Sequence, residues 1–209
     1  MAVHYLIQAE VVDIKQDLPK AGDAFLVDTN VWYWMMYNRA QQADRPPLGY
    51  QTTDYPAYLS KAITASSRLH RCELALAELA HLIERTELEI FAKASGFDKS
   101  KKKEFRHNYP IERANVVARI QSAWGQIKAV ATPVAIQIDE ATADAALTRL
   151  QSQFLDGYDL FMLEAMAKAG VVQVITDDGD FTSVAGIQVF TSNAKVIQAA
   201  QNQGKLVIR

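Results

Sequence analysis

The chain has 209 residues, 49% of them apolar and 22% charged, with a formal net charge of −2 and a single cysteine, Cys72. This composition excludes collagen-like, coiled-coil and disordered chains and any internal disulfide framework, and no apolar run approaches the ~20 residues needed to cross a bilayer. A near-neutral total also excludes a blanket attraction to polyanions, so any such attraction must be local. The length favours one domain over residues 1–209. The lone cysteine and the lack of a leader pattern in Met1 to Glu10 point to a reducing, cytoplasmic setting and to no membrane partner.

In chain order, Tyr5 to Ile14 mixes β-branched and polar residues and reads as a strand. Ala24 to Val27 is a continuous apolar run, the pattern of a strand covered on both faces, and it stops at Asp28-Thr29-Asn30. A helix is expected from near Asn30. Arg39 to Tyr55, with Pro46, Pro47 and Gly49, reads as a loop or insertion. A helix over Pro56–Leu69 tolerates Pro56 in its first turn. A short strand is expected within Leu69–Leu74, then a long helix reaching Ile90. The polar, basic stretch from Gly96 to Tyr109 breaks the helical pattern, which returns over Ile111–Val130. Pro133 to Ile138 alternates like a strand, and Asp139 or Thr142 opens a helix to Leu150. A helix over Tyr158–Ala169 ends at Gly170 as a left-handed cap. Strands follow at Val171–Ile175 and Ile187–Phe190. Then come a helix over Asn193–Gln201, with Ser192 as its cap, and an edge strand at Leu206–Ile208 that pairs with the N-terminal one. Strands alternating with helices imply βαβ units: an α/β fold around a mostly parallel sheet, with insertions near 39–55 and 96–109.

The small net charge hides an uneven distribution. Arg85 to Lys128 holds ten Lys/Arg against five Asp/Glu, whereas Asp139 to Asp180 holds nine Asp/Glu against two Lys/Arg. Two buried-strand patterns end in acids: Val27 precedes Asp28, and Ile175-Thr176 precedes Asp177, Asp178 and Asp180. In an open parallel sheet, ligands collect beyond the carboxyl ends of the strands. Carboxylates gathered there repel one another unless a proton or cation intervenes, and all-oxygen donors select Mg²⁺ or Mn²⁺, one ion or two. No His/Cys set has zinc spacing. Asp156 reads first as the cap of the helix at 158, and Asp159 fits capping and catalysis equally. Glu78 stands within an apolar helical stretch, either on its surface or reaching into the cleft. Glu73 and Glu84 are better placed in solvent.

Taken together these motifs resemble the PIN-domain nucleases: Phe25-Leu26-Val27-Asp28-Thr29-Asn30 the first motif, Ala77-Glu78-Leu79 the second, Asp159 with its Ala-rich helix the third, and Ile175-Thr176-Asp177-Asp178-Gly179-Asp180-Phe181 the fourth. The resemblance covers about residues 24–190. It implies a three-layer α/β/α sandwich with a mostly parallel central sheet, and metal-dependent hydrolysis of RNA phosphodiester bonds, leaving 5′-phosphate and 3′-hydroxyl ends. It assigns Asp28, Glu78, Asp159 and Asp178 as catalytic and metal-binding acids, Asp180 as an accessory metal ligand, and Asn30 and Thr176 as residues that orient them. Asp177 falls at a variable position and receives no catalytic role. Cys72 and Ala75 stand where many members carry Ser or Thr.

The stretch Lys99, Lys101, Lys102, Lys103 and Arg106, interleaved with Phe97, Phe105 and Tyr109, is the expected RNA-binding surface, its cations on phosphates and its aromatics under bases. Trp32, Tyr33, Trp34 and Tyr37 suit the core or a dimer interface, and a homodimer is expected. The function expected is that of an endoribonuclease, either the toxin of a toxin–antitoxin pair with an antitoxin protein as partner, or an RNA-processing nuclease. A catalytically degenerate RNA- or protein-binding module is the alternative.

Overall fold

A computed structural model describes residues 3–209; Met1 and Ala2, the start of the stretch read for a leader, lie outside the described residues. The strands are β1 (Glu10–Asp13), β2 (Ala24–Val27), β3 (Arg68–Cys72), β4 (Thr132–Val134), β5 (Gln173–Ile175), β6 (Gln188–Thr191) and β7 (Leu206–Val207). They form one seven-stranded sheet in the order β4-β3-β2-β5-β6-β1-β7, with every pairing parallel. The helices are α1 (Thr29–Met36), α2 (Gly49–Thr64), α3 (Ala75–Ser95), α4 (Lys102–Asn108), α5 (Pro110–Val130), α6 (Glu140–Arg149), α7 (Gly157–Ala169) and α8 (Ala194–Asn202). Short 3₁₀ turns occupy Ala40–Gln42 and Gly179–Ser183. Among the described residues no helix is long and apolar enough to cross a membrane.

Side chains alternate across the sheet and separate two cores. Val12, Phe25, Val27, Leu69, Ile175 and Phe190 face α1, α2, α3 and α5, where Trp32, Tyr55, Tyr58, Leu79, Ile83 and Ile127 are buried. Leu26, Val174 and Val189 face the other way, against Ala146 of α6 and Leu160, Leu163 and Met166 of α7. Val11 shares a register position with Val189 and packs with Val196 and Ala200, so α8 covers this second face too. The result is the expected α/β/α sandwich. Trp32, Tyr33 and Tyr37 are buried in the first core, which settles them as core residues.

Several boundaries differ from expectation for local reasons. Only Glu10–Asp13 of the N-terminal run is a strand, because the segment before it crosses the turn at Gly179–Ser183: the backbone N–H groups of Gln8 and Ala9 both donate to Thr182 O. Helix α2 begins at Gly49, about two turns before Pro56, so much of the expected loop at 39–55 is helical and Pro56 lies in the helix interior. Gln51 Oε1 accepts from the Leu48 N–H and closes the first turn. Stretch 96–109 contains α4 rather than a plain break. Strand β4 stops at Val134, since Pro133 offers no N–H and the strand lies at the sheet edge. Helix α8 is capped by Asn193, whose Oδ1 accepts from Lys195 N, while Ser192 Oγ donates to Asp54. Gly170 adopts the expected left-handed cap at φ 65.

Candidate active site

The connectivity creates a crevice in the middle of the sheet. From β2 the chain steps outward to β3 and β4; it then returns to β5 on the other side of β2 and steps outward to β6. Neighbouring strands β2 and β5 are thus where the winding reverses, the place where open α/β sheets bind ligands. Val27 and Ile175 are register partners at the ends of these strands, so the residues that follow, Asp28 and Thr176-Asp177-Asp178, emerge side by side. Two helix starts complete the rim: Glu78 lies in the first turn of α3 and Asp159 in the first turn of α7.

Asp28 is 2% exposed. Its Oδ2 accepts from Thr176 Oγ1 at 2.7 Å, and Thr176 Oγ1 in turn accepts from the Asp178 N–H at 2.9 Å. Thr176 therefore orients two of the acids at once. Asn30 is half-buried one residue into α1, and it contributes no comparable side-chain bond among the described residues. Burial, then the charges of Glu78 and Asp178, push the Asp28 carboxyl up to about 7. Asp159 is pushed up to about 9, by burial first and then by Asp28, Asp178, Glu78 and Asp156. Burial also raises Glu78, with Asp156 and Asp178 adding to it; Thr29 lies beside Glu78 and offsets part of the rise, although no hydrogen bond of normal geometry joins them. Asp178 and Asp180 are raised by burial and by neighbouring acids. Asp28, Glu78, Asp159, Asp178 and Asp180 thus share one electrostatic neighbourhood, although they are spread over most of the chain.

Asp156 belongs to the same group. It occupies the N-cap position of α7 but accepts no capping hydrogen bond, and its charge raises Glu78, Asp159, Asp178 and Asp180. The capping role expected for it is not what the structure shows.

Asp177 points the other way, into a structural role. Its Oδ2 accepts from Tyr50 Oη at 3.0 Å and Gln51 Nε2 at 2.7 Å, and its Oδ1 accepts from Tyr55 Oη at 2.7 Å. Asn193 Nδ2 donates to its carbonyl at 3.0 Å. Three residues of α2 thereby fix the loop that carries Asp178. Sequence reading missed them because Pro46, Pro47 and Gly49 made the region look like a loop. The spacing of Tyr55 and Tyr58, one helical turn apart, was the available signal.

A divalent cation is tested by the donors present. All are carboxylate oxygens, the set that hard cations prefer, and Glu78 Oε2 is buried with no hydrogen-bond partner, as is Thr29 Oγ1 beside it. These features fit Mg²⁺ or Mn²⁺ in chemistry. Among the described residues, however, no three His, Cys, Asp or Glu side chains already stand close enough to hold a metal, so closing a shell requires the carboxylates to move inward.

The basic stretch departs from its expected form. Phe105 is buried, and Phe91, Phe97, Phe105 and Tyr109 pack on one another with ring centroids 4.8–6.5 Å apart, forming a small core with Leu88 and Val116. These aromatics hold α4 against α3 and α5 and are not platforms for bases. Lys99 pairs with Asp44, Lys101 with Glu104 and Arg106 with Glu84, while Lys102 and Lys103 are exposed. Glu84, expected in solvent, is largely covered because Arg113 also reaches it, at 3.5 Å. Arg106 meets α3 six residues beyond Glu78, roughly 9 Å along the helix axis, so this cationic surface begins near the acid pocket.

No protein-family model matches this chain, and no curated protein matches it.

Proposed function

We propose that this protein is a divalent-metal-dependent endoribonuclease whose site is arranged like that of the PIN-domain nucleases. The observation that carries the reading is the convergence at the β2/β5 crevice. Asp28 and Asp178 follow adjacent strands and are linked through Thr176, and Glu78 and Asp159 bring their charges to the same place. Carboxyls raised to about 7 and about 9, by burial first and then by one another's charge, mark acids whose repulsion a bound cation would relieve.

Asp28, Glu78, Asp159 and Asp178 would hold Mg²⁺ or Mn²⁺, with Asp180 as an accessory. When bound, the metal supplies an activated water and offsets charge on the phosphate. Thr176 keeps the Asp28 carboxylate turned to the crevice, and the α2 tyrosines keep the Asp178 loop from drifting. Asp28 and Asp159 must release their protons before they can serve as anionic ligands. Lys102 and Lys103, beside the Arg106–Glu84 pair, offer phosphate contacts on the flank reached along α3, so the RNA backbone has a cationic approach to an otherwise acidic site. RNA is the substrate that this combination suits.

The test is cleavage of a labelled single-stranded RNA with Mg²⁺, with Mn²⁺ and with EDTA, beside the Asp28→Asn variant. Cleavage by the wild type with either metal, absent in EDTA and in the variant, is expected. Cleavage by Asp28→Asn at the wild-type rate would overturn the assignment.

A further inference from the structure

Beside the acids lies a cavity of ≈ 250 Å³, with His4, Tyr5, Phe154, Gly179, Asp180 and Ser183 among its lining residues. Its walls come from three parts of the chain, and each is anchored. The N-terminal segment is clamped to the residue after α8: Gln203 Nε2 donates to Tyr5 O at 2.9 Å, and Ile7 N donates to Gln203 Oε1 at 3.1 Å. The Tyr5 ring lies directly on Gly179, where an added Cβ would fall 2.6 Å from Cζ and 2.7 Å from Cδ1. Gly179 has no positive φ, so its lack of a side chain serves this close approach and not the turn. The third wall is the α6–α7 connection, where Phe154 N donates to Ser183 Oγ at 2.9 Å, yet the Phe154 side chain is left 63% exposed.

Two aromatic rings therefore flank an open slot whose acidic edge, Asp180, adjoins Asp178. Among the described residues no Lys or Arg lines the slot; His4 is its one potential cation, and Asp180 repels a phosphate. A flat, neutral group suits it: aromatic faces stack on bases, and a carboxylate accepts from an exocyclic amino group. Paired bases cannot enter such a slot without leaving their stack.

We propose that the cavity between Tyr5 and Phe154 receives one unpaired base of single-stranded RNA, next to the phosphate held by the acid pocket. This rests on the nuclease reading and sharpens it to a single-stranded substrate, with Tyr5 and Phe154 as positioning residues.

The probe is a short single-stranded RNA carrying 2-aminopurine, whose emission is quenched when it stacks on an aromatic ring. Binding is followed in EDTA on the Asp28→Asn protein, alone and combined with Phe154→Ala or Tyr5→Ala, with melting curves to check folding. The exposed Phe154 can be removed without opening the core. Quenching by the parent is expected, with affinity about 5- to 150-fold weaker in either aromatic variant, the range of one lost base–aromatic stack. In the active protein, Phe154→Ala is expected to lower kcat/KM on the single strand, while the matching duplex is expected to be cleaved slowly by wild type and variant alike. Unchanged quenching and affinity in both variants overturn the base slot, and the nuclease reading survives if the wild type cleaves. Phe154-dependent quenching without metal-dependent cleavage overturns the nuclease reading and keeps the slot as a single-strand binding site.

Discussion

The substitution Asp28→Asn isolates the electrostatic strain of the pocket without any assay of activity. The Asp28 carboxyl is raised from 3.8 to about 7, chiefly by burial and then by Glu78. Its folded value lies above its unfolded one, so the native state binds this proton more tightly. That contribution to stability is whole below about pH 4 and is lost as the pH climbs through 7. At 1.36 kcal/mol per pH unit, the loss by pH 8 approaches about 4 kcal/mol. Asparagine cannot ionise, and its carbonyl can still accept from Thr176 Oγ1, so the variant avoids the loss. In EDTA at pH 8, Asp28→Asn is expected to melt roughly 8–16 °C higher than the wild type, given 2–4 °C per kcal/mol for a chain of this size. At pH 4, where the aspartate is already protonated, the two should melt together. Melts followed by circular dichroism at both pH values decide the matter. A variant less stable at pH 8, or an equal shift at both pH values, would refute the placing of Asp28 among uncompensated acids.

Four further outcomes are expected. The apparent Mg²⁺ affinity should rise between pH 6 and pH 9, because in the metal-free protein Asp28 and Asp159 hold protons up to about 7 and about 9 that the ion must displace; an affinity independent of pH speaks against their being ligands. Tyr55→Phe removes a phenol that donates to Asp177 and accepts from Ser192 N, and should cost about 1–3 kcal/mol in denaturant unfolding as well as lowering activity; a neutral effect on both would deny α2 its role in fixing the Asp178 loop. Glu87→Ala strips a buried carboxylate from Tyr37 Oη, Arg39 and Arg119, 2.5 Å, 2.6 Å and 2.8 Å away, and should cost about 3 kcal/mol or more, a loss under about 1 kcal/mol being the contrary result. Replacing Lys102 and Lys103 with alanine should weaken RNA binding and flatten its logarithmic salt dependence by about 1.4, whereas an unchanged slope removes α4 from the interface.

Residues whose neighbours in the chain determine their environment were legible from sequence. The apolar runs before Asp28 and Asp177 could only be covered strands, and their acids had to emerge at one sheet edge once β2 and β5 became neighbours. Gly170 capped α7 as its position required. What the sequence did not disclose depended on distant partners. Helix α2 runs through Pro56 because its start is tied to Asp177, more than a hundred residues away. Asp156 looked like an ordinary cap, and only the fold shows its charge turned on the other acids. The aromatics between the lysines looked like base platforms until their packing on Phe91 withdrew them. Tyr5 and Phe154 carried no motif; the fold brings them beside Asp180 through the clamp at Gln203, the packing of Tyr5 on Gly179 and the bond to Ser183.

The gathered carboxylates are tested most directly by titrating Mn²⁺ into the protein and following the free ion by electron paramagnetic resonance. The wild type is expected to remove Mn²⁺ from solution, with affinity falling at least about tenfold, the cost of one lost charged ligand at ~1.4 kcal/mol or more, in Asp28→Asn and in Asp178→Asn. A wild type that leaves the Mn²⁺ signal unchanged, or variants that bind the ion as tightly as the wild type does, would contradict it.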